Sequence, residues 1–457
     1  MSTNFEGPLQ DFSQGPLPEA SESGDSESGD IESGDIESGD IASEVALSSP
    51  DVIAGSLGEY AKIWVSRIRN GDSGALPVIA GLVVIVIYFQ ARSSLFLSAG
   101  NLINLAGQAA WIAVLGMAEV FVLLLGEIDL SIGYTAPLGA TFTCWLLLPP
   151  HPAPWPLAVL VGLAVPAIFS GLEGFITTRL RLPSFVVTLA GQLLALGLLL
   201  EVMDSAAPNG GGTIRLYPGV LADIYSGSLS PVAGWIVMAA AVAGAGALFL
   251  VRDSRRRASN LTAPPLSVTV LKIAAMAVAG VVVVLVGNTN RGVGFTVVRG
   301  VPWVVLVVVV VVFAWSVLLG RTRFGRYVYA IGGNAEAARR AGISLNRIRV
   351  LAFTLCGLTA GIMGIIYTSY LGSVSTGVQG GQLVLLAVAA GVIGGTSLFG
   401  GRGKMVGALL GGLIVAVIYN GLELLGLGAA PQYIWTAVVL LAAVTVDTLA
   451  RRRSTAA

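Results

Sequence analysis

The sequence predicts a polytopic, all-α membrane protein with about twelve transmembrane helices. Of its 457 residues, 55% are hydrophobic and only 11% are charged, whereas a soluble domain carries about 25% charged residues. The apolar runs are continuous, without the two-residue alternation of barrel strands, and each is about 17–25 residues long, which suits a membrane-spanning helix. Since only helices and closed barrels satisfy the backbone in lipid, helices are the architecture that remains.

Residues 1–57 are predicted to form a disordered, acidic, low-complexity tail. The first 60 positions hold 14 of the 26 Asp and Glu residues and none of the 26 Lys and Arg residues. A segment so poor in apolar residues cannot bury enough surface to fold. Two roles stay open for it, a passive solvated tail or an acidic docking arm. Residues 58–74, which include Lys62 and Trp64, are expected to lie at the inner membrane surface.

The membrane domain is predicted at residues 75–450. Its candidate spans are 75–91, 102–125, 133–148, 157–178, 185–203, 232–251, 269–287, 301–319, 350–371, 382–398, 404–421 and 431–448. With the N-terminus in the cytoplasm, 22 of the 26 basic residues fall on the cytoplasmic side and four fall outside. Because Lys and Arg concentrate in cytoplasmic loops, this arrangement predicts that both termini are cytoplasmic.

A hydrophilic island at residues 320–349 lies between long apolar runs and carries seven arginines and one glutamate. Its centre has the pattern of a short capped helix, since Asn334 is a favourable N-cap and Gly342 a favourable stop. Glu336 falls in the first turn, and Arg339 and Arg340 fall near the end, as the helix dipole favours. A short helix on a cytoplasmic loop is suited to receive mechanical input from a separate motor protein.

A second polar island, GEIDLSIG at residues 126–133, places Glu127, Asp129 and Ser131 between glycines. Carboxylates near membrane depth are costly and normally have a functional or a paired role. Two interpretations stay open. The segment is either a polar turn at the inner interface with Asp129 as the N-cap of the next helix, or a pathway or gating element whose broken helix lines a cavity.

The second predicted span carries a polar stripe of Asn104, Gln108 and Glu119. Their spacings of four and eleven residues place all three near one face of a helix. Such a stripe faces either a translocation pathway or an interhelical hydrogen-bond seam. The two cysteines, Cys144 and Cys356, lie in apolar runs and are interpreted as small core residues.

Five motifs in order carry a resemblance to a known family. They are GEIDLSIG, GLEGFITTRLRLPSFVVTLAG (171–191), GGNAEAARRAGI, GVIGGTSLFGGRG (391–403) and Asn420-Gly421-Leu422. Together they resemble the membrane permease subunit of bacterial ABC sugar importers of the ribose/xylose type, within a superfamily that includes branched-chain amino-acid permeases. The resemblance covers roughly residues 75–450. It implies a multi-pass permease half in the bacterial cytoplasmic membrane, paired with a second copy around a central pathway.

The resemblance also implies roles for particular residues and partners. The residues expected to couple to the ATPase are Asn334, Ala335, Glu336, Ala337, Arg339, Arg340 and Gly342. The candidates for the translocation pathway are Asn104, Gln108, Glu119, Glu127, Asp129, Ser131 and Asn420. The expected partners are cytoplasmic ABC ATPase subunits, an external solute-binding protein, a second permease copy and the lipid bilayer, with no cofactor and no nucleic acid.

One departure from the family pattern concerns the run before GVIGG. An acidic pair is expected there, and this chain has Val384-Leu385-Leu386, which removes two carboxylates from a region expected near the pathway. The chain also lacks the G-x-x-x-x-G-K-[ST] phosphate loop, so ATP hydrolysis is expected on a separate subunit.

The predicted function is therefore that of a transmembrane subunit of an ATP-driven importer for a monosaccharide, such as xylose or a similar pentose or hexose. The alternatives are an ABC permease for a branched-chain amino acid or another small polar solute, and an ion-coupled secondary transporter. The membrane-depth carboxylates Glu119 and Asp129 keep the last of these open.

Overall fold

A computed structural model describes residues 76–455, except 151, 207–211, 218, 260, 262 and 293–296. The predicted acidic tail at 1–57 and the predicted interfacial segment at 58–74 lie outside the described residues. The described helices are α1 (Leu76–Arg92), α2 (Ala99–Leu123), α3 (Ile132–Leu146), α4 (Trp155–Leu180), α5 (Ser184–Ala206), α6 (Val220–Ser226), α7 (Pro231–Ala258), α8 (Leu266–Asn288), α9 (Trp303–Arg321), α10 (Arg323–Gly333), α11 (Ala335–Arg340), α12 (Leu345–Leu371), α13 (Gly380–Ile393), α14 (Met405–Leu424) and α15 (Ala429–Thr455).

The prediction of a polytopic all-α protein is confirmed. Each of the twelve predicted spans overlaps one helix. In the described part of the chain, eight helices are long and apolar enough to cross a membrane, namely α2, α4, α5, α7, α8, α9, α12 and α14. The number of helices that cross the bilayer and the sidedness of the termini stay predictions, since α1, α3, α13 and the apolar part of α15 are shorter.

Two predicted boundaries are wrong, each for a local reason. The span predicted at 382–398 ends at Ile393, because Gly394 begins a turn and Gly395 takes a left-handed φ of 87°. The island at 320–349 was expected to be a loop with one short helix. It also contains α10 and the first turn of α12, because Thr322 caps α10 by accepting from the amide of Gly325 at 3.3 Å.

Helix α2 lies at the centre of the packed core, buried along most of its length against α12, α13 and α14. Small residues let these helices approach closely. A Cβ built on Gly412 of α14 would lie 2.6 Å from the Cα of Ala113 in α2. Helix α12 packs most extensively on α4, where Gly357 lies against the carbonyl of Pro166. Replacing either glycine would force the paired helices apart.

Two further features position the rest of the chain. Strands β1 (Thr213–Arg215) and β2 (Ser373–Ser375) form a short antiparallel ladder in which Ile214 lies opposite Val374, joining the segment after α5 to the end of α12. Helices α7 and α8 pack mainly on each other and leave most of their apolar side chains exposed. Exposed apolar helices of this length are suited to contact lipid.

Candidate functional site

Helix α11 has the geometry that the sequence predicts for residues 334–342. The side chain of Asn334 accepts a hydrogen bond from the amide of Ala337 at 2.9 Å, which caps the helix. Glu336 accepts from Arg339 at 2.8 Å and from Arg340 at 3.0 Å. Gly342 follows the helix with a left-handed φ of 80°, which glycine adopts without strain. The charged side chains are exposed, so α11 presents a polar, mainly basic surface.

The ion pairs on α11 give a pH dependence that can be measured. Hydrogen bonds from Arg339 and Arg340 hold the pKa of Glu336 below its ordinary value. The ion pairs of Glu336 therefore stabilise the helix fully above the ordinary glutamate pKa. This stabilisation is lost as the pH falls through the lowered pKa of Glu336. We expect NMR titration of labelled glutamate to give a lowered midpoint for Glu336. An Arg339→Ala, Arg340→Ala double variant should restore the ordinary value, and an unchanged midpoint would contradict the pairing.

Helix α11 is connected to the core through α10. The hydroxyl of Tyr329 donates to the carbonyl of Gly403 at 2.8 Å, and the amide of Gly401 donates to the carbonyl of Leu124 at 2.9 Å. Gly332 lies directly against Leu124, with no room for a Cβ. The glycine-rich motif at 391–403 therefore joins the helix before α11 to the end of α2. A displacement of α11 would act directly on this joint.

The GEIDLSIG island folds into a buried polar turn between α2 and α3. Asp129 is fully buried, and its carboxylate accepts from the Ser131 amide at 2.9 Å and hydroxyl at 2.7 Å. Ser170 of α4 donates to it at 3.2 Å and Cys356 of α12 at 3.7 Å. Asp129 thus joins three helices. The interpretation of Asp129 as the N-cap is wrong by two residues, since Ser131 occupies that position.

Two more carboxyl groups adjoin this turn. Glu119 of α2 accepts from the amide of Asp129 at 3.1 Å, and Ser131 lies 2.8 Å from Glu173 of α4. The Ser131 hydroxyl therefore lies between two carboxyl groups, those of Asp129 and Glu173. In the described residues no set of His, Cys, Asp and Glu is arranged to hold a metal ion.

Glu127, the first acidic residue of the island, has a different environment from the buried Asp129. Its carboxylate lies 3.4 Å from the guanidinium of Arg349, and both side chains are partly exposed. Arg349 stands in the second turn of α12, shortly after α11. The pair therefore links the polar turn to the chain segment that leaves α11.

A cavity of about 480 Å³ lies beside the middle of α2. Its lining residues are Gln108, Trp111, Ile112, Tyr367, Tyr370, Leu371, Ser375, Gly377, Val378, Gln379, Gln382, Leu383, Leu386, Tyr419, Glu423 and Gln432. Four amide side chains, four large aromatic side chains and one carboxylate are thus grouped around apolar positions. The ends of α12 and α14 and the starts of α13 and α15 meet there, whereas the joint that leads to α11 contacts the C-terminal end of α2.

The predicted pathway residues divide between these regions. Of the seven candidates, only Gln108 lines the cavity described above. Asn104 accepts from the hydroxyl of Tyr225 at 3.4 Å, and Asn420 exchanges two amide hydrogen bonds with Asn101 at 2.8 and 3.0 Å. Glu119, Asp129 and Ser131 belong to the buried turn, and Glu127 to the ion pair. The polar stripe on α2 thus includes both a cavity wall and interhelical hydrogen bonds.

Most of the residues that line the cavity were not predicted from the sequence. Tyr367, Tyr370, Gln379 and Gln382 are spread over two predicted spans and the loop between them. A signal existed, because the predicted topology puts all of these residues at the outer ends of their spans. The structure also puts Leu386, from the run where acids were expected, on the cavity wall.

Comparison with known proteins identifies the family. Residues 101–446 match the family model described as the branched-chain amino acid transport system permease component. The chain is 33% identical over 394 residues to the xylose transport system permease protein XylH of Escherichia coli strain K12, covering 85% of this chain and 95% of the relative. It is 30% identical over 389 residues to the ribose import permease protein RbsC of the same strain, covering 85% and 95%.

The Haemophilus influenzae XylH protein is similarly related, with 33% identity over 382 residues, 83% of this chain and 96% of the relative. No solved structure matches the chain. The predicted resemblance to permeases of the ribose/xylose type is confirmed, and the long apolar helices agree with a multi-pass protein of the bacterial cytoplasmic membrane. The chain belongs to the family of branched-chain amino acid transport system permease components, and it is similar to xylose and ribose permeases of that kind.

Proposed function

We propose that this chain is the transmembrane subunit of an ATP-driven importer that carries a monosaccharide, xylose or a similar pentose or hexose. The single observation that carries the proposal is a pair of separate sites along α2, a cavity beside its middle and α11 near its C-terminal end. The cavity offers amides and aromatic rings to a solute, and α11 offers a capped, basic helix to a motor protein. Similarity to xylose and ribose permeases over 85% of the chain supports the sugar as the solute.

In this proposal an external solute-binding protein delivers the sugar to the cavity end, and cytoplasmic ABC ATPase subunits bind α11 and hydrolyse ATP. The basic surface of α11 favours an acidic groove on the ATPase. Twelve helices cross the membrane with both termini cytoplasmic, since the basic residues then concentrate inside. A second copy of the chain completes the pathway.

A second candidate solute is a branched-chain amino acid, because the matching family is described by that solute. An amino acid presents a carboxylate, which normally requires a cationic partner or several amide donors. Among the described residues, those that line the cavity include Glu423 and neither Lys nor Arg. This charge pattern favours a neutral solute over a zwitterion.

Uptake measurements test the choice of solute. Cells of the source bacterium that lack this chain, with and without a plasmid-borne copy, are assayed for labelled D-xylose, D-ribose and L-leucine. We expect the copy to restore pentose uptake and to leave leucine uptake unchanged. Restored leucine uptake alone would support the second candidate. Sugar uptake that survives ATP depletion and needs an ion gradient would support a secondary transporter.

The acidic tail is proposed to be passive. Deletion of residues 1–55 removes no part of the described helices, so we expect uptake within about twofold of the full chain, a change of about 0.4 kcal/mol. The measurement is the initial uptake rate at matched membrane expression. A loss of tenfold or more would contradict the passive role and favour the docking-arm interpretation.

A further inference from the structure

Two side chains that line the cavity each have one buried polar atom with no hydrogen-bond partner among the described residues. The two atoms are the Nε1 of Trp111 and the Oε1 of Gln108. Both side chains are more than nine-tenths buried, with 8% and 6% of their surfaces exposed. A buried polar group without a partner costs roughly 1–3 kcal/mol. Because both side chains also line one cavity, a ligand in that cavity would supply their hydrogen bonds.

The two groups are complementary in chemistry and close in position. Trp111 and Gln108 are three residues apart in α2, so they lie on the same side of the helix. The indole nitrogen can only donate, and the amide oxygen can only accept. A hydroxyl group both donates and accepts. A solute with neighbouring hydroxyl groups satisfies both atoms, whereas a purely apolar solute satisfies neither.

The orientation of the Gln108 amide is fixed by its other contacts. Its Nε2 donates to the carboxylate of Glu423 at 3.1 Å and to the hydroxyl of Tyr370 at 3.2 Å. An ionised carboxylate only accepts, so the NH₂ group must face Glu423 and the amide oxygen must face the other way. The Oε1 of Gln108 therefore lacks a partner because the Nε2 of the same amide is held by Glu423 and Tyr370.

Aromatic rings supply a second recognition element. Trp111 and Tyr367 lie with ring centroids 4.8 Å apart and an angle of 57° between their planes, and both line the cavity. The electron-rich face of an aromatic ring attracts the partly positive C–H groups on the face of a sugar ring. The amide of Gln382, which also lines the cavity, is held in place as well, since it donates to the hydroxyl of Tyr419 at 3.0 Å.

We propose that this cavity is a binding site within the membrane domain for one neutral sugar, with its hydroxyl groups bound by Trp111 and Gln108, and that Glu423 excludes acidic sugars. The volume of about 480 Å³ falls in the range of small-molecule sites. The charge selection follows from the carboxylate of Glu423, since the described residues of the cavity wall include no Lys or Arg. This inference rests on the proposed function and adds a specific recognition step in the permease itself.

The test uses the full chain in lipid nanodiscs and saturation-transfer NMR, which detects weak binding, with D-xylose and D-ribose as probes. We expect saturable binding of at least one sugar. Trp111→Phe keeps the ring and loses the donor, and Gln108→Met loses the amide at similar length. Each should raise the Kd about tenfold, the effect of one hydrogen bond. Thermal unfolding of each variant establishes that it is folded.

Trp315→Phe is the matched control. The Nε1 of Trp315 also lacks a partner in the described residues, but this residue stands on α9 and does not line the cavity. We expect its Kd to equal that of the unmodified chain. Glu423→Gln keeps an acceptor for Gln108 and loses the charge, so D-xylonate, which the unmodified chain excludes, should bind this variant.

The failure of this inference is distinguishable from the failure of the proposed function. If cells import D-xylose or D-ribose through the chain while nanodiscs show no saturable binding, or while Trp111→Phe and Gln108→Met bind as well as the control, the cavity site is overturned and the importer stands. If the cells import neither sugar and L-leucine binds instead, both are overturned.

Discussion

Deletion of residues 334–342 is expected to abolish transport while the chain still inserts and accumulates in the membrane. The deletion removes α11 with its cap at Asn334 and little of the buried core, because only Ala338 of this helix is buried. The remaining helices of the core keep their contacts. Transport fails in our account because force from the ATPase no longer reaches α10 and the end of α2. The measurement is ATP-dependent uptake at matched membrane abundance.

A charge reversal gives a finer version of this test. Glu336→Arg replaces two ion pairs with repulsion among three like charges at i, i+3 and i+4 positions, which destabilises a short helix. Glu336→Gln keeps the helix without the charge and is the control. We expect uptake in the order unmodified chain, Glu336→Gln, Glu336→Arg. A deletion variant that transports with normal ATP stimulation would refute the coupling role.

Replacing Asp129 with alanine is expected to give the largest loss of stability of any single substitution proposed here. The change leaves the Ser131 amide without its acceptor and removes contacts to Ser170 and Cys356. The expected cost is roughly 2–4 kcal/mol, since a buried donor without a partner alone costs about 1–3 kcal/mol. Because the turn joins α2, α4 and α12, we also expect uptake to fall more than tenfold. Thermal unfolding and uptake are the measurements.

The conservative Asp129→Asn variant separates the two interpretations of this turn. Asparagine keeps an acceptor for Ser131 and can donate to Ser170, so a purely structural role predicts stability and uptake near those of the unmodified chain. If Asp129→Asn is stable and inactive, the carboxyl group itself takes part in transport. If Asp129→Ala is as stable as the unmodified chain, the described hydrogen bonds do not hold this junction together.

The features that the sequence predicted well depend on local patterns. Spans follow from apolar runs, and α11 follows from a cap residue, a charge order and a terminal glycine, all within nine positions. These signals do not depend on the rest of the chain. The motifs GEIDLSIG and GVIGGTSLFGGRG also correctly indicated the permease family.

The cavity and the buried turn could not be predicted in the same way, because they depend on contacts between distant segments. Gln108 and Glu423 are 315 positions apart, and Asp129 meets Cys356 across 227 positions. A single residue such as Tyr367 has no local sequence signal, because its predicted span contains other aromatic residues. The end of α13 before Gly394 was not predicted, because averaging hydropathy over a window does not detect the turn at Gly394 and Gly395.

The most direct test of the coupling claim is purification of the tagged, full-length chain in mild detergent, followed by identification of the proteins that accompany it. We predict that an ABC ATPase subunit co-purifies, that its ATP hydrolysis responds to D-xylose or D-ribose with the binding protein present, and that it is lost when residues 334–342 are deleted. A chain that purifies alone and transports sugar in liposomes under an ion gradient would contradict the account.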